Sequence, residues 1–323
     1  MKKIIVITGP TGVGKTKLSI EIAKKLNGEI INADSMQVYC GLDIGTAKIK
    51  EEEKCGIPHH LFDICNVLDN YTIFDYQRDA RRVIDEITSR NKTPILVGGS
   101  GLYIKAALYD YRLSDEEYHS EFTELTNEEI LEEIKRIHDT DIHINNRKRL
   151  VRELNKIKND TVTKSDINKP LYDIITIGLT TDREKLYDII NNRVDIMVKD
   201  GLIDEVKLLY DKKINSKAIM TGIGYKELYQ YFDGKIEKDE ALDLIKKNSR
   251  NFAKRQYTFF NHQMDVTWFS VDFNNFNKTI DEVYKYIKEW LSSFFFLFNE
   301  QTSHFIEDIC WFDVKKGKKI LKI

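Results

Sequence analysis

The chain has 323 residues, enough for two domains of ordinary size and a large core, so no disulfide staple is needed. Its 41% apolar and 32% charged residues are a globular composition, and no apolar run approaches the roughly 18–20 residues of a membrane span, which excludes the disordered and membrane-spanning classes. Fifty Lys and Arg against fifty-two Asp and Glu leave a net charge of −2, so any nucleic-acid site must be a local patch.

Lys3 to Thr8 is β-branched and almost continuously apolar, as a central parallel strand buried on both faces requires. The opening MKKII has the look of a secretion signal, but the apolar run soon meets a Gly-rich loop and is expected to be the first strand. Lys15 to Leu26 carries Leu18, Ile22 and Leu26 at every fourth position, one stripe of a helix. Glu29 to Asn32 and Thr93 to Gly98 read as further strands, with a helix over Ile73 to Arg90 between them. This alternation predicts a parallel sheet flanked by helices, an α/β fold of the P-loop NTPase-like kind. From Tyr109 to about Lys169 the pattern turns to polar helix, with an acidic block at Glu128 to Glu133 and a basic one at Arg147 to Arg152. Asp173 to Leu179 predicts another core strand. Helices follow at Arg183 to Lys199, Ile203 to Lys213 and Lys238 to Asn261, then a strand within Asp265 to Val271 and a last helix at Thr279 to Leu291.

The expected divisions are therefore 1–109, the P-loop core; 110–169, a helical insertion; 170–292, the rest of the core with a mainly helical region; and 293–323, an extension. FFFLF at 294–298 has neither strand nor helix period and precedes a Lys-rich end, so the extension, of unknown role, is expected to be dispensable, with an added docking element or RNA-touching arm the alternative. Cys40, Cys55, Cys65 and Cys310 form no CxxC pair, which predicts neither a zinc site nor a disulfide framework and fits a reducing cytoplasm.

Gly9-Pro10-Thr11-Gly12-Val13-Gly14-Lys15-Thr16 matches GxxxxGK[ST] between a strand and a helix. Such a loop turns successive backbone N–H groups into one concave nest at a helix N-terminus, where the dipole and unsatisfied donors favour phosphate. Lys15 adds a point charge and Thr16 a hydroxyl for Mg²⁺; a merely tight turn would ask for neither. A typical ATPase places an Asp at the end of a later apolar strand. Here Thr93 to Val97 runs instead into Gly98-Gly99-Ser100-Gly101, and the acid is Asp34, after the second strand. Asp34 fits a general base at the crevice above the sheet and fits a turn-capping aspartate equally well. His59 and His60 lack a carboxylate or Cys at ligand spacing, and are read as structural or as part of a substrate channel.

Seven segments, GPTGVGKT, ADSMQVY, DIGTAK (Asp43 to Lys48), IPHHLFDI, ILVGGSGLY, GIGYKEL and AKRQYTFF, stand in the order found in the tRNA dimethylallyltransferase (tRNA isopentenyltransferase) family, which the chain resembles from about Lys2 to Leu291. The resemblance implies Mg²⁺-dependent transfer of a dimethylallyl group from dimethylallyl diphosphate to the exocyclic amine of the adenine next to the tRNA anticodon. The phosphate loop would hold the leaving diphosphate and Asp34 would take the amine proton. Ser35, Met36 and Gln37 match the family segment that contacts tRNA, and Gln37 is able to read an adenine edge bidentately. Ser100 falls where the family more often has Thr, and its hydroxyl suits diphosphate or RNA backbone. Arg193 matches an arginine used near the diphosphate; by residue pattern alone it is a helix-surface arginine paired with Asp188 or Asp200.

Lys246, Arg250 and Lys254 fall at i, i+4 and i+8 of one helix, flanked by Arg255, and the last three have no acid three or four residues away. Unpaired like charges at that spacing weaken a helix, so RNA phosphate is the expected partner, with a merely solvated face the alternative. A second cluster, Arg147, Lys148, Arg149 and Arg152, aligns with a family segment that contacts the anticodon stem-loop. The insertion is shorter than is common in the family, RELN at 152–155 replaces Arg-Ala-Leu-Glu, and Phe259 stands where Trp is frequent. The partners implied are tRNA and dimethylallyl diphosphate, with no membrane, for a cytoplasmic monomer. Two other readings need only part of these features: an isopentenyltransferase acting on free adenine nucleotides, and a P-loop small-molecule kinase using ATP.

Overall fold

Strand β1 (Lys3–Thr8) is buried at every residue after the first, as its unbroken apolar run demands. It lies inside a six-stranded sheet with β2 (Gly28–Asn32), β3 (His59–His60), β4 (Thr93–Val97), β5 (Asp173–Thr180) and β6 (Thr267–Ser270). The order is β3-β2-β4-β1-β5-β6 and every pairing is parallel, with Ile5 of β1 opposite Ile95 and Ile175. The computed structural model describes residues 1–111, 122, 124–158 and 168–297. Two compact units divide the chain, Met1–Val283 and Tyr284–Ile323.

Helix α1 (Lys15–Leu26) lies against β1, β2 and β4. Ile4, Val6, Ile31 and Leu96 of the sheet meet α2 (Ile73–Ser89), through Tyr76, Ala80, Val83 and Ile84, and α3 (Gly101–Leu108), through Ile104 and Ala107. Thr72 opens α2 with a reciprocal cap: its hydroxyl accepts the Asp75 N–H, and the Asp75 carboxylate accepts the Thr72 N–H. A separate apolar cluster joins α4 (Asn127–Lys135) to α5 (Arg147–Lys158) through Ile130, Ile134, Leu150 and Leu154. These are the two described helices of the predicted insertion. A third cluster packs α6 (Arg183–Lys199), α7 (Leu202–Asp211), α8 (Lys217–Thr221), α9 (Tyr225–Phe232) and α10 (Lys238–Gln263) around Leu202, Val206, Ile219, Tyr225 and Ile245.

The last helix, α11 (Phe276–Leu297), starts earlier and runs further than expected, because neither Gly nor Pro interrupts it and Phe is tolerated in helices. Residues 294–297 of the FFFLF run are therefore helical, while Phe298, Cys310 and the Lys-rich end lie outside the described residues. The two-residue β3 and the short α8 and α9 were not expected, being too brief for a periodic pattern. Among the described residues, no helix is long and apolar enough to cross a membrane.

Candidate active site

The carboxyl ends of β1, β4 and β2 open side by side onto a cavity of about 830 Å³. Beyond β1 the chain enters the phosphate loop. Gly14, with φ +94°, is the residue before α1 and occupies a left-handed conformation that a side chain disfavours. It leaves α1 without a side-chain cap, and the first turn of α1 holds no acid. Unlike the ends of α2, α4 and α6, which Thr72, Thr126 and Asp182 close, this helix end keeps its N–H donors for an anion. Lys15 folds back so that Nζ donates to the carbonyls of Gly9 (2.9 Å) and Pro10 (2.7 Å). Burial, and then the Arg193 guanidinium, bring its ammonium down to about 7 against the opposing pull of Asp34. Thr16 follows on the same cavity wall.

Asp34 is fixed from beneath by Asn32, a fully buried side chain at the end of β2. Asn32 Oδ1 accepts the Asp34 N–H (2.9 Å), while Nδ2 donates to the carbonyls of Leu61 (3.0 Å) and Asp34 (3.1 Å). The two sequence readings of Asp34 coexist in the structure. Its Oδ1 accepts the Met36 N–H at 2.9 Å, a turn contact, while the residue lines the cavity within the field of Lys15 and Arg193. Arg193, on α6, is largely buried and also lines the cavity. Burial moves its pKa down from the usual guanidinium value and Asp34 opposes that, while its Nε has no hydrogen-bond partner. No ion pair ties it to Asp188 or Asp200, so the surface pairing suggested by local pattern does not form.

Between the phosphate loop and Asp34 comes the end of β4. A Cβ on Gly98 would stand 2.1 Å from the Ala33 carbonyl oxygen, so only glycine lets the strands' ends run this close. Ser100 Oγ accepts the Ser35 N–H at 3.1 Å, so this hydroxyl braces the segment behind Asp34. Gln37 lines the cavity, but its Nε2 donates to the Thr46 carbonyl (3.0 Å), so half of the bidentate adenine contact is already engaged within the protein. His59 lines the cavity, with Nδ1 at 2.7 Å from the Ile57 carbonyl. His60 Nε2 instead lies 2.6 Å from Glu29, and among the described residues no cluster suited to a metal ion forms.

The basic stripe on α10 divides. Lys246 pairs with Asp195 (2.7 Å) and Arg250 donates to Asn191 (2.5 Å), so both bind α10 to α6 rather than standing free for RNA. Lys254 and Arg255 are exposed, and Arg255 also lines the cavity. Arg147 donates to Asn127 Oδ1 and to the Phe122 carbonyl, both at 2.9 Å, and so holds the insertion together; Lys148, Arg149 and Arg152 are exposed on α5.

Gln256 was overlooked as a cavity residue. It is buried on α10, lines the cavity, and donates from Nε2 to the Gly99 carbonyl at 3.1 Å. The available signal was a lone amide in the otherwise apolar stripe Ile245, Ala253, Phe260.

The model of a family described as IPP transferase matches residues 37–263. The chain belongs to the IPP transferase family. A tRNA dimethylallyltransferase of Anoxybacillus flavithermus is 47% identical over 300 residues, covering 89% of this chain and 96% of that protein. The crystal structure of a full-length tRNA isopentenylpyrophosphate transferase from Bacillus halodurans superposes with a TM-score of 0.72 at 43% identity, covering 91% of this chain and 98% of that one. A eukaryotic dimethylallyltransferase captured acting on tRNA matches with a TM-score of 0.70 at 28% identity, covering 83% of this chain and 74% of that one. The P-loop NTPase-like expectation for the fold agrees with these IPP transferase neighbours.

Proposed function

We propose that this chain transfers the dimethylallyl group of dimethylallyl diphosphate to the exocyclic amine of the adenine next to a tRNA anticodon, releasing diphosphate. One observation carries the reading: a single cavity brings together an uncapped helix end, Lys15, Arg193 and the Asp34 carboxylate. The loop N–H groups, Lys15 and Arg193 receive the diphosphate and stabilise the negative charge that grows on it as the allylic C–O bond breaks. The adenine nitrogen forms the new N–C bond while Asp34 takes one of its protons, relieving an amine whose lone pair is delocalised into the ring. The Thr16 hydroxyl, a hard oxygen donor at the head of α1, suits Mg²⁺, which when bound would supply further positive charge beside the diphosphate.

The adenine must leave its stack to reach Asp34. Lys254 and Arg255 on α10, and Lys148, Arg149 and Arg152 on the insertion, supply cations for the phosphates of the anticodon arm. Arg147 and Arg250 support those helices from within. The sparse cysteines of the sequence suit work in a reducing cytoplasm.

The test offers the protein Mg²⁺, dimethylallyl diphosphate and either an anticodon stem-loop or AMP, and reads prenyl mass gain. Gain on the RNA alone is expected, and gain on AMP alone would overturn the tRNA reading. Asp34→Ala should lower turnover about 10²- to 10⁴-fold with the fold intact.

A further inference from the structure

The segment 43–47, between β2 and β3, belongs to no strand or helix, yet Gly45, Thr46 and Ala47 line the same cavity as Lys15 and Asp34. Ala47 is held there at φ +47°, a conformation that non-glycine residues adopt only when their surroundings impose it. The loop is fastened to its own neighbourhood by Gln37, and by Lys48, whose Nζ reaches the Tyr39 carbonyl (2.8 Å), Asp43 (2.7 Å) and Asp63 (2.5 Å).

Its other fastening comes from about 160 residues away. Glu205 on α7 accepts the backbone N–H groups of Asp43 (3.0 Å) and Ile44 (2.7 Å) at Oε2, and of Gly45 (3.1 Å) at Oε1. Oε1 also accepts the Tyr225 hydroxyl at 2.7 Å. Three successive N–H groups converging on one anion form the kind of nest that elsewhere binds a ligand; here a side chain fills it. The Tyr225 ring is packed so tightly on the loop that a Cβ on Gly45 would come within 2.6 Å of it. Four donors on one carboxylate make a charge-assisted set that an amide cannot reproduce, because its NH₂ half would face N–H groups.

We infer that Glu205, backed by Tyr225, is a positioning residue for the prenyl donor: it sets the distance between the 43–47 loop and the phosphate loop, and so the width of the cavity that receives the diphosphate. The inference rests on the proposed activity, since it takes that cavity to be the donor site. Glu205 itself touches neither substrate.

Glu205→Gln should raise the KM for dimethylallyl diphosphate about tenfold while kcat stays within about threefold, because Lys15, Thr16 and Asp34 are untouched. Glu205→Asp keeps the charge and should recover part of the loss. Tyr225→Phe removes one of the four donors and should raise KM by no more than about threefold. The Kd for dimethylallyl diphosphate and for inorganic diphosphate, measured without RNA, should follow KM. A purely structural role would lower the melting temperature and the active fraction but leave KM and Kd unchanged, and that result in folded Glu205→Asp and Tyr225→Phe, as well as in Glu205→Gln, overturns the inference. Wild-type protein that binds inorganic diphosphate but makes no prenylated RNA would count against the proposed activity alone, and the diphosphate Kd of the variants would then decide the role of Glu205.

Discussion

Raising the pH from 7 to 9 should weaken binding of dimethylallyl diphosphate about fiftyfold in all, nearing tenfold per unit at the upper end, and the cause is one amine. Lys15 Nζ bonds two backbone carbonyls and no carboxylate, and its ammonium, normally at 10.5, is brought down to about 7 by burial and by Arg193, against Asp34. Above that pH the free protein holds a neutral lysine. A diphosphate seated in the loop favours the ammonium, so binding takes up one proton wherever the free value lies below the pH and the bound value above it. Linkage then sets a limiting slope of one in log Kd, about 1.4 kcal/mol per pH unit. The donor adds little slope of its own here, since the last ionisation of a terminal phosphate lies near about 6. Titration calorimetry without RNA, in two buffers of different ionisation enthalpy, reads both Kd and protons taken up. Lys15→Met should bind weakly and show no slope. A wild-type Kd constant within about twofold from pH 7 to 9, with no proton uptake, would refute the argument. For the empty protein the stability effect runs the other way. Unfolding returns an ordinary amine that binds a proton, so this lysine makes the folded state gain stability as pH rises from about 7 towards 10.5.

Glu29, 3% exposed, accepts from His60 (2.6 Å), Arg90 (2.8 Å) and Lys92 (2.9 Å); burial alone would raise its carboxyl, but these bonds hold it at about 2. Its depressed value contributes stability that is complete above about 4.5 and is lost as the pH falls towards 2, on the order of 2–3 kcal/mol. Urea unfolding of Glu29→Gln should therefore differ from wild type most at pH 7 and converge with it near pH 2.5; a gap unchanged with pH would count against the ion cluster. Replacing Lys254 and Arg255 together by Ala should flatten the salt dependence of stem-loop binding by about one to two units of log K against log salt. An unchanged slope would remove these two residues from the RNA face.

What was legible in the sequence was chemistry carried by adjacent residues. The phosphate loop fixes its own backbone and its own helix start, so GPTGVGKT predicts Gly14 before α1, with Lys15 and Thr16 at the head of the helix, where they are found. What escaped was pairing across the fold. Local spacing offers Lys246 only Asp243 and offers Arg250 no acid at all, but Asp195 and Asn191 reach these two from another helix. Arg193 is the converse case, since acids stand near it in sequence and its guanidinium turns instead into the cavity. Helical periodicity states that such residues lie on helices; which neighbour each faces depends on how the helices pack. The Glu205 clasp joins positions about 160 residues apart and has no local signature at all.

The displaced acid follows from strand order. β4 lies between β1 and β2, so an acid at the end of β4 would stand next to the phosphate loop, at the distance that suits a metal ion or an attacking water. Here that place is closed to any side chain, because Gly98 passes against the Ala33 carbonyl. The carboxylate comes instead from Asp34, one strand further out, and Asn32, Ser100 and the Met36 N–H hold the segment that carries it. β4 thus separates the strand that leads into the phosphate loop from the strand that leads to Asp34, and both ends line a cavity of about 830 Å³ that Arg193 and Gln256 also line. A water molecule does not need that separation. The proposed reaction does, because a prenyl group leaving one side and a purine amine arriving from the other must stand in line between the loop proposed to hold the diphosphate and the carboxylate proposed to take the proton.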